Sequence, residues 1–226
     1  MIRRPLMLVV GTRNLKKMRE IATILESFPV QLMSLADFPD APNVVEDADT
    51  FEGNARKKAL TLADALNEWV IADDSGLEID ALGGRPGVMS ARYAGPDASD
   101  AEKCRKVLDE LRGVPREKRT ARFRCVIALA RPRRGTRRVP PVRTPVRTPS
   151  APTGEVVLTA EGRCEGLIAE TMTGAGGFGY DPIFYFPPAG RTFGEMTADE
   201  KNRVSHRGNA LRAFRDDCRT LFGRVD

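Results

Sequence analysis

The 226-residue chain has one histidine, and its four cysteines, Cys104, Cys125, Cys164 and Cys218, stand singly with no CxxC pair. That excludes a zinc cluster and a disulfide framework and suits a reducing compartment. No stretch approaches the roughly 20 apolar residues of a membrane-spanning helix. In the opening MIRRPLMLVVGTRN the apolar run lasts only from Pro5 to Val10, and charge returns at Arg13 without a small-residue cleavage site. A cytoplasmic protein with no membrane partner is expected.

Acidic residues are missing from residues 131–150, RPRRGTRRVPPVRTPVRTPS, which contain seven arginines. Subtracting those seven from the net charge of +5 leaves −2 for the rest, so the basicity belongs to one segment. The near-repeat PVRTPVRTP and the six prolines from Pro132 to Pro152 mark an insertion, at about 132–153, that joins two strands and stands outside the fold. The composition of the whole, 41% apolar and 30% charged, is that of a globular protein. One domain over 1–226 is expected.

Leu6 to Val10 reads as a strand buried on both faces, closed by Gly11-Thr12. A helix should follow, capped by Asn14, with Met18, Ile21, Ala22, Leu25 and Phe28 as its stripe. Val30 to Leu35 suggests a second strand, and Phe51, Ala55, Ala59, Leu62 and Leu66 a second helix before a strand at Trp69 to Ala72. Ser99 or Asp100 can cap a helix reaching about Leu111, and Thr120 to Arg131 alternates as a strand with Phe123, Cys125, Ile127 and Leu129 on one face. Glu155 to Ala160 and Leu167 to Ala169 offer two more strands, and a last helix capped by Ser205 carries Leu211, Phe214, Cys218 and Leu221. Alternating strands and helices define an α/β protein.

Five short stretches carry chemistry. The turn Thr12-Arg13-Asn14-Leu15-Lys16-Lys17 leads from a strand to a helix N-terminus, where unpaired N–H groups and lysines can hold phosphate. Glu46 precedes Thr50-Phe51 and Asn54. Asp73-Asp74-Ser75-Gly76 follows the apolar Val70-Ile71-Ala72, placing carboxylates at a strand end, where ligands enter α/β sheets and where a magnesium ion needs one or two carboxylates plus phosphate oxygens. In TGAGGFGYDP, four glycines within six residues allow close backbone approach, and Phe178 and Tyr180 offer surfaces for a base. Lys201 and Ser205-His206-Arg207 add donors at a helix start. Each stretch alone also has an ordinary explanation, as a cap, a polar turn or a loop packed on an aromatic plug.

Taken in order, these motifs resemble those of the inosine triphosphate pyrophosphatase, or Ham1-like, family, over nearly the whole chain apart from the insertion. The resemblance implies an elongated mixed sheet flanked by helices, two lobes with the active site in the cleft between them, and a homodimer. It implies hydrolysis of inosine, deoxyinosine and xanthosine triphosphates to monophosphate and pyrophosphate. Carried onto this sequence, it places the triphosphate on Thr12 to Lys17 with Ser75, magnesium on Glu46 and Asp74, and the general base at Asp74. Phe178, Gly179, Tyr180 and Asp181 would form the base pocket, with Lys201, His206 and Arg207 contacting the nucleotide. Arg13 and Lys16 stand where relatives often carry glycine, and Gly53 where many carry glutamate.

Two other readings compete. In one, the arginine-rich insertion grips nucleic acid nonspecifically, with a steep salt dependence, although it lacks interleaved aromatics. In the other, the chain is a Maf-type nucleotide pyrophosphatase, whose motifs differ from GTRNLKK and SHRGNA.

Overall fold

The computed structural model describes residues 6–26, 30–132 and 154–222. Its centre is a seven-stranded mixed sheet with the order β2-β1-β3-β4-β5-β6-β7. The strands are β1 (Leu6–Val10), β2 (Val30–Ser34), β3 (Trp69–Ile79), β4 (Thr120–Arg131), β5 (Glu155–Ile168), β6 (Phe184–Phe186) and β7 (Arg191–Thr192). The helices are α1 (Leu15–Leu25), α2 (Phe51–Leu66), α3 (Asp100–Glu110), α4 (Ala198–Val204) and α5 (His206–Phe222). Among the described residues, no helix is long and apolar enough to cross a membrane.

The all-apolar character of β1 and of the start of β3 follows from cover on both faces. Leu8, Val10 and Ile71 pack with Ile21 and Leu25 of α1 and Leu211 and Phe214 of α5. Val9, Val70 and Ala72 pack on the other face against Ala55, Ala59 and Leu62 of α2. Each such buried Leu, Ile or Phe contributes about 1.5–3 kcal/mol. A third cluster, built from Leu77, Ile79, Phe123, Ile168, Phe184 and Phe193, fills the far end of the same long strands. The expected caps are present: Asn14, Thr50 and Ser99 each accept helix N–H groups, and the Ser205 hydroxyl accepts from Gly208 N–H. Phe28 of the expected stripe and residues 133–153 lie outside the described residues, as does the side chain of Leu221. Arg131 pairs with Glu155, so the insertion leaves and re-enters at one hairpin end.

Two expectations need correction. β3 does not end at Ala72; it continues to Ile79 with Asp73, Asp74, Ser75 and Gly76 in mid-strand, paired with Ile127, Val126, Cys125 and Arg124 of β4. The continuous β4 partner overrides the turn preference of Asp-Ser-Gly, because every backbone group on that side finds a ladder bond. The second correction is that the two short strands after the insertion are one strand, β5. In its centre Ala160, Gly162 and Cys164 are buried while Glu161, Arg163 and Glu165 are exposed, a period of two that small residues at the core positions obscured.

Gly76 is required by the packing of β3 against the 87–92 turn. A Cβ there would stand 2.4 Å from the Gly87 carbonyl oxygen and 2.6 Å from Ser90 Oγ. Ser90 Oγ donates to Gly87 O (2.6 Å) and accepts from Leu77 N–H (2.9 Å), tying the 87–92 turn against β3. Gly76→Ala is expected to cost about 1–3 kcal/mol by overpacking. An unchanged midpoint in chemical denaturation would show that the turn yields freely.

Candidate active site

β1 stops opposite Ile71, where Gly11 N–H donates to Ile71 O at 2.7 Å, and the chain turns into α1. Among the described residues, β3 has no backbone partner on that side from Ala72 until Glu78 bridges Pro86. Asp73 and Asp74 therefore stand on an open sheet edge beside the α1 N-terminus, where phosphate oxygens are favoured. Thr12 Oγ1 accepts from Asn14 N–H at 3.2 Å, and Asn14 Oδ1 from the N–H groups of Lys16 (2.9 Å) and Lys17 (3.2 Å), which fixes the turn. Arg13 points elsewhere and donates to the Ala41 carbonyl at 2.7 Å. Asn14, Leu15, Lys16 and Lys17 line a cavity of about 470 Å³, together with Ser75, Phe178 to Asp181, Lys201, His206 and Arg207. Thr12 and Arg13 shape the turn without lining that cavity.

Asp73 is the hub of the buried charges. Its Oδ2 accepts from Lys17 Nζ (3.1 Å), Ser75 Oγ (2.8 Å) and the Arg207 guanidinium (3.2 Å). Burial alone would raise its pKa, but the charges of Lys17, Arg207 and Lys58 prevail and hold it well below the usual carboxylate range. Asp74 is placed differently. Burial and the nearby Glu46 charge push its pKa up, against the Asn54 amide that donates to Oδ2 at 3.0 Å. The pKa values of two adjacent carboxylates are thus shifted in opposite directions.

Glu46 ion-pairs with Lys58 of α2, and its carbonyl accepts from Arg92 at 3.0 Å. Burial disfavours the Lys58 charge, but Asp73, Glu46 and Asp74 together raise its pKa. Asn54 Oδ1 accepts from Ala48 N–H at 2.9 Å, so the same side chain anchors the 46–48 segment and Asp74. Among the described residues no three His, Cys, Asp or Glu side chains converge as a metal cage. Glu46 and Asp74, close enough to interact electrostatically, are the two carboxylates here that could hold a divalent cation.

At the other end of the cavity, Lys201 Nζ lies 4.5 Å, Arg207 5.6 Å and Lys16 5.9 Å from the Phe178 ring centroid, within cation–π range. Lys201 binds Asp181 Oδ2 at 2.6 Å and Glu20 at 3.1 Å, and Arg207 also pairs with Glu20. Tyr180 is unlike Phe178: it is buried and its hydroxyl donates to Ser90 O at 2.9 Å, whereas Phe178 is only half-buried and lines the cavity as an aromatic surface. The glycine loop also serves the fold, since a Cβ on Gly177 (φ +72) would meet Asp181 Oδ2 at 2.0 Å. Glu20, Lys58, Asp100 and Lys103 escaped sequence reasoning. Helical spacing could have found two of them, because Glu20 lies three residues after Lys17 on α1 and Lys58 four after Asn54 on α2.

His206 is buried, stacks on Phe123 with centroids 4.6 Å apart, and has no hydrogen-bond partner at Nδ1. Burial, with Arg207 and Lys201 beside it, holds its pKa well below 6.5. Below about pH 6.5 the unfolded chain therefore binds a proton that the native state refuses, and stability falls as pH falls. The slope should approach about 1.4 kcal/mol per pH unit between pH 6.5 and 5. Because Asp74 and Asp181 are shifted upward and oppose this trend, the measurement compares wild type with His206→Gln by denaturation at pH 7.5 and 5. Equal pH dependence of the two proteins would refute the assignment.

A phosphate turn and a donor-lined aromatic pocket share one cavity, and the Asp73–Asp74 carboxylates precede its Ser75 wall on β3 without lining it. The Ham1 family sequence model matches residues 8–217, which spans all three parts. The chain belongs to the Ham1 family. It is 49% identical to a dITP/XTP pyrophosphatase of Shouchella clausii, covering 92% of this chain and 94% of that one. With a dITP/XTP pyrophosphatase of Geobacillus kaustophilus the identity is 47%, over 96% of each. Among solved structures, a HAM1 protein from Coxiella burnetii superposes with a TM-score of 0.77 at 37% identity, covering 95% of this chain and 99% of that one. A dITP/XTP pyrophosphatase from Mycobacterium abscessus gives 0.69 at 39% identity, covering 92% and 98%.

Proposed function

We propose that this Ham1 family protein hydrolyses the triphosphates of deaminated purines, those of inosine, deoxyinosine and xanthosine, to monophosphate and pyrophosphate. One observation carries the reading: a single cavity joins the Asn14–Lys17 phosphate turn to the Lys201, His206 and Arg207 donors, with Asp73 and Asp74 on the strand beside it. Cleavage between the α and β phosphates needs a water aimed at the α-phosphorus and positive charge around the leaving pyrophosphate. Lys17 and the α1 N-terminus bind the phosphates, and Asp73 holds Lys17 in place. Asp74, its carboxylate destabilised by burial, takes the proton of the attacking water. Glu46 and Asp74 would hold magnesium, which supplies positive charge to the phosphate oxygens.

The base is chosen by hydrogen-bond polarity. Hypoxanthine and xanthine offer an oxygen at C6 where adenine offers an amino donor, so Lys201 and Arg207 favour the deaminated rings. Adenine leaves buried donors facing a donor, at a cost of about 1–3 kcal/mol for each unsatisfied group. A homodimer in the cytoplasm belongs to the same reading. The test is pyrophosphate release from deoxyinosine, xanthosine, adenosine and guanosine triphosphates with and without magnesium. Metal-dependent release favouring the deaminated purines is expected; no release by folded protein would reject the reading, and binding of nucleic acid that weakens with salt would then stand in its place.

A further inference from the structure

The C6 oxygen distinguishes deaminated purines from adenine but not from guanine, and it does not separate xanthine from hypoxanthine. These three differ at C2, which carries an amino donor in guanine, an oxygen acceptor in xanthine and hydrogen in hypoxanthine. With C6 served by donors from α4 and α5, a group that reads C2 must come from another wall of the cavity.

Such a group is present on α3. Asp100 and Lys103 line the same cavity as the Lys201–Arg207 donors. Asp100 Oδ2 accepts from the N–H of Gly179, inside the 178–181 loop, at 2.7 Å. Its Oδ1 pairs with Lys103 Nζ, also at 2.7 Å. Both carboxylate oxygens thus hold a partner, and the one on Oδ1 is a cation that repels an approaching guanine amino group. The Lys103 side chain is only 13% exposed, so its ammonium is held at the cavity wall rather than free in solvent. An ammonium has three N–H donors and no acceptor. Asp100 takes one, and the others can serve only an acceptor.

We propose that Lys103, positioned by Asp100, reads the C2 substituent of the base: it donates to the xanthine oxygen and repels the guanine amino group. This rests on the pyrophosphatase reading and adds to it a preference for xanthosine over inosine triphosphate and a reason for rejecting guanosine triphosphate. A hydrogen bond from a charged donor corresponds to about tenfold or more in relative kcat/KM.

The experiment measures kcat/KM for xanthosine, inosine and guanosine triphosphates with wild type, Lys103→Met and Lys103→Arg, each checked for folding by thermal melting. In Lys103→Met the xanthosine-to-inosine ratio should fall about tenfold or more and the guanosine-to-inosine ratio should rise, whereas Lys103→Arg should keep the xanthosine preference. Should the methionine variant not fold, Lys103→Leu, which likewise has no donor, is read in the same way. Parallel loss on all three substrates would place the ammonium on sugar or phosphate and overturn the proposal, as would unchanged ratios. Wild type inactive on both inosine and xanthosine triphosphates would overturn the pyrophosphatase reading itself, and with it this one.

Discussion

Asp74→Asn is expected to lower pyrophosphate release by about 10²–10⁴-fold, the range for loss of a positioned general base. The amide keeps the shape of the carboxylate, and an oxygen can still accept from Ser75 N–H, which in the native protein donates to Asp74 Oδ1 at 2.9 Å. Folding should survive the change. Burial and the Glu46 charge already disfavour the ionised form, so a neutral side chain relieves the site. The new amide nitrogen faces the Asn54 donor that bonds Oδ2 in the native protein, which offsets that relief, so the expected combination is an inactive enzyme that still folds with a little-changed melting temperature. Retention of more than about a tenth of wild-type turnover would assign the base elsewhere.

Arg207→Met should have the largest effect on stability, about 3–5 kcal/mol. Arg207 is among the largest fully buried side chains, and its guanidinium holds Asp73, Glu20 and Ser75 together. Methionine fills much of the volume but leaves Asp73 in the interior with Lys17 as its remaining direct ion pair. An uncompensated buried carboxylate costs far more than the lost packing. Against a typical total of about 5–15 kcal/mol, such a loss would leave the protein marginal. Arg207→Lys should rescue little, because a single ammonium cannot bridge Asp73 and Glu20 as the planar fork does. Urea denaturation of both variants measures this, and a loss below about 1 kcal/mol would mean that Asp73 finds its compensation without Arg207.

The strength of that coupling also explains where the site was hard to read. Asp73 meets Lys17 from 56 positions away and Arg207 from 134, and no local pattern announces either pairing. Asp73 and Asp74 look alike as neighbours in the sequence. Only the three cations gathered around one, and the burial and neighbouring Glu46 around the other, separate their proton affinities.

The sequence by itself determined what short-range physics controls. Apolar runs set β1 and the start of β3, helical spacing and caps set α1, α2, α3 and α5, and the order of the five motifs carried the family. The tertiary structure decided what depends on a partner across the chain. β4 carried β3 through Asp-Asp-Ser-Gly and kept β5 whole, because a paired ladder outweighs local turn preference. The 87–92 turn made Gly76 a packing requirement. α3 brought Asp100 and Lys103 to the cavity wall, since a side chain's chemistry is set by what long-range folding places beside it.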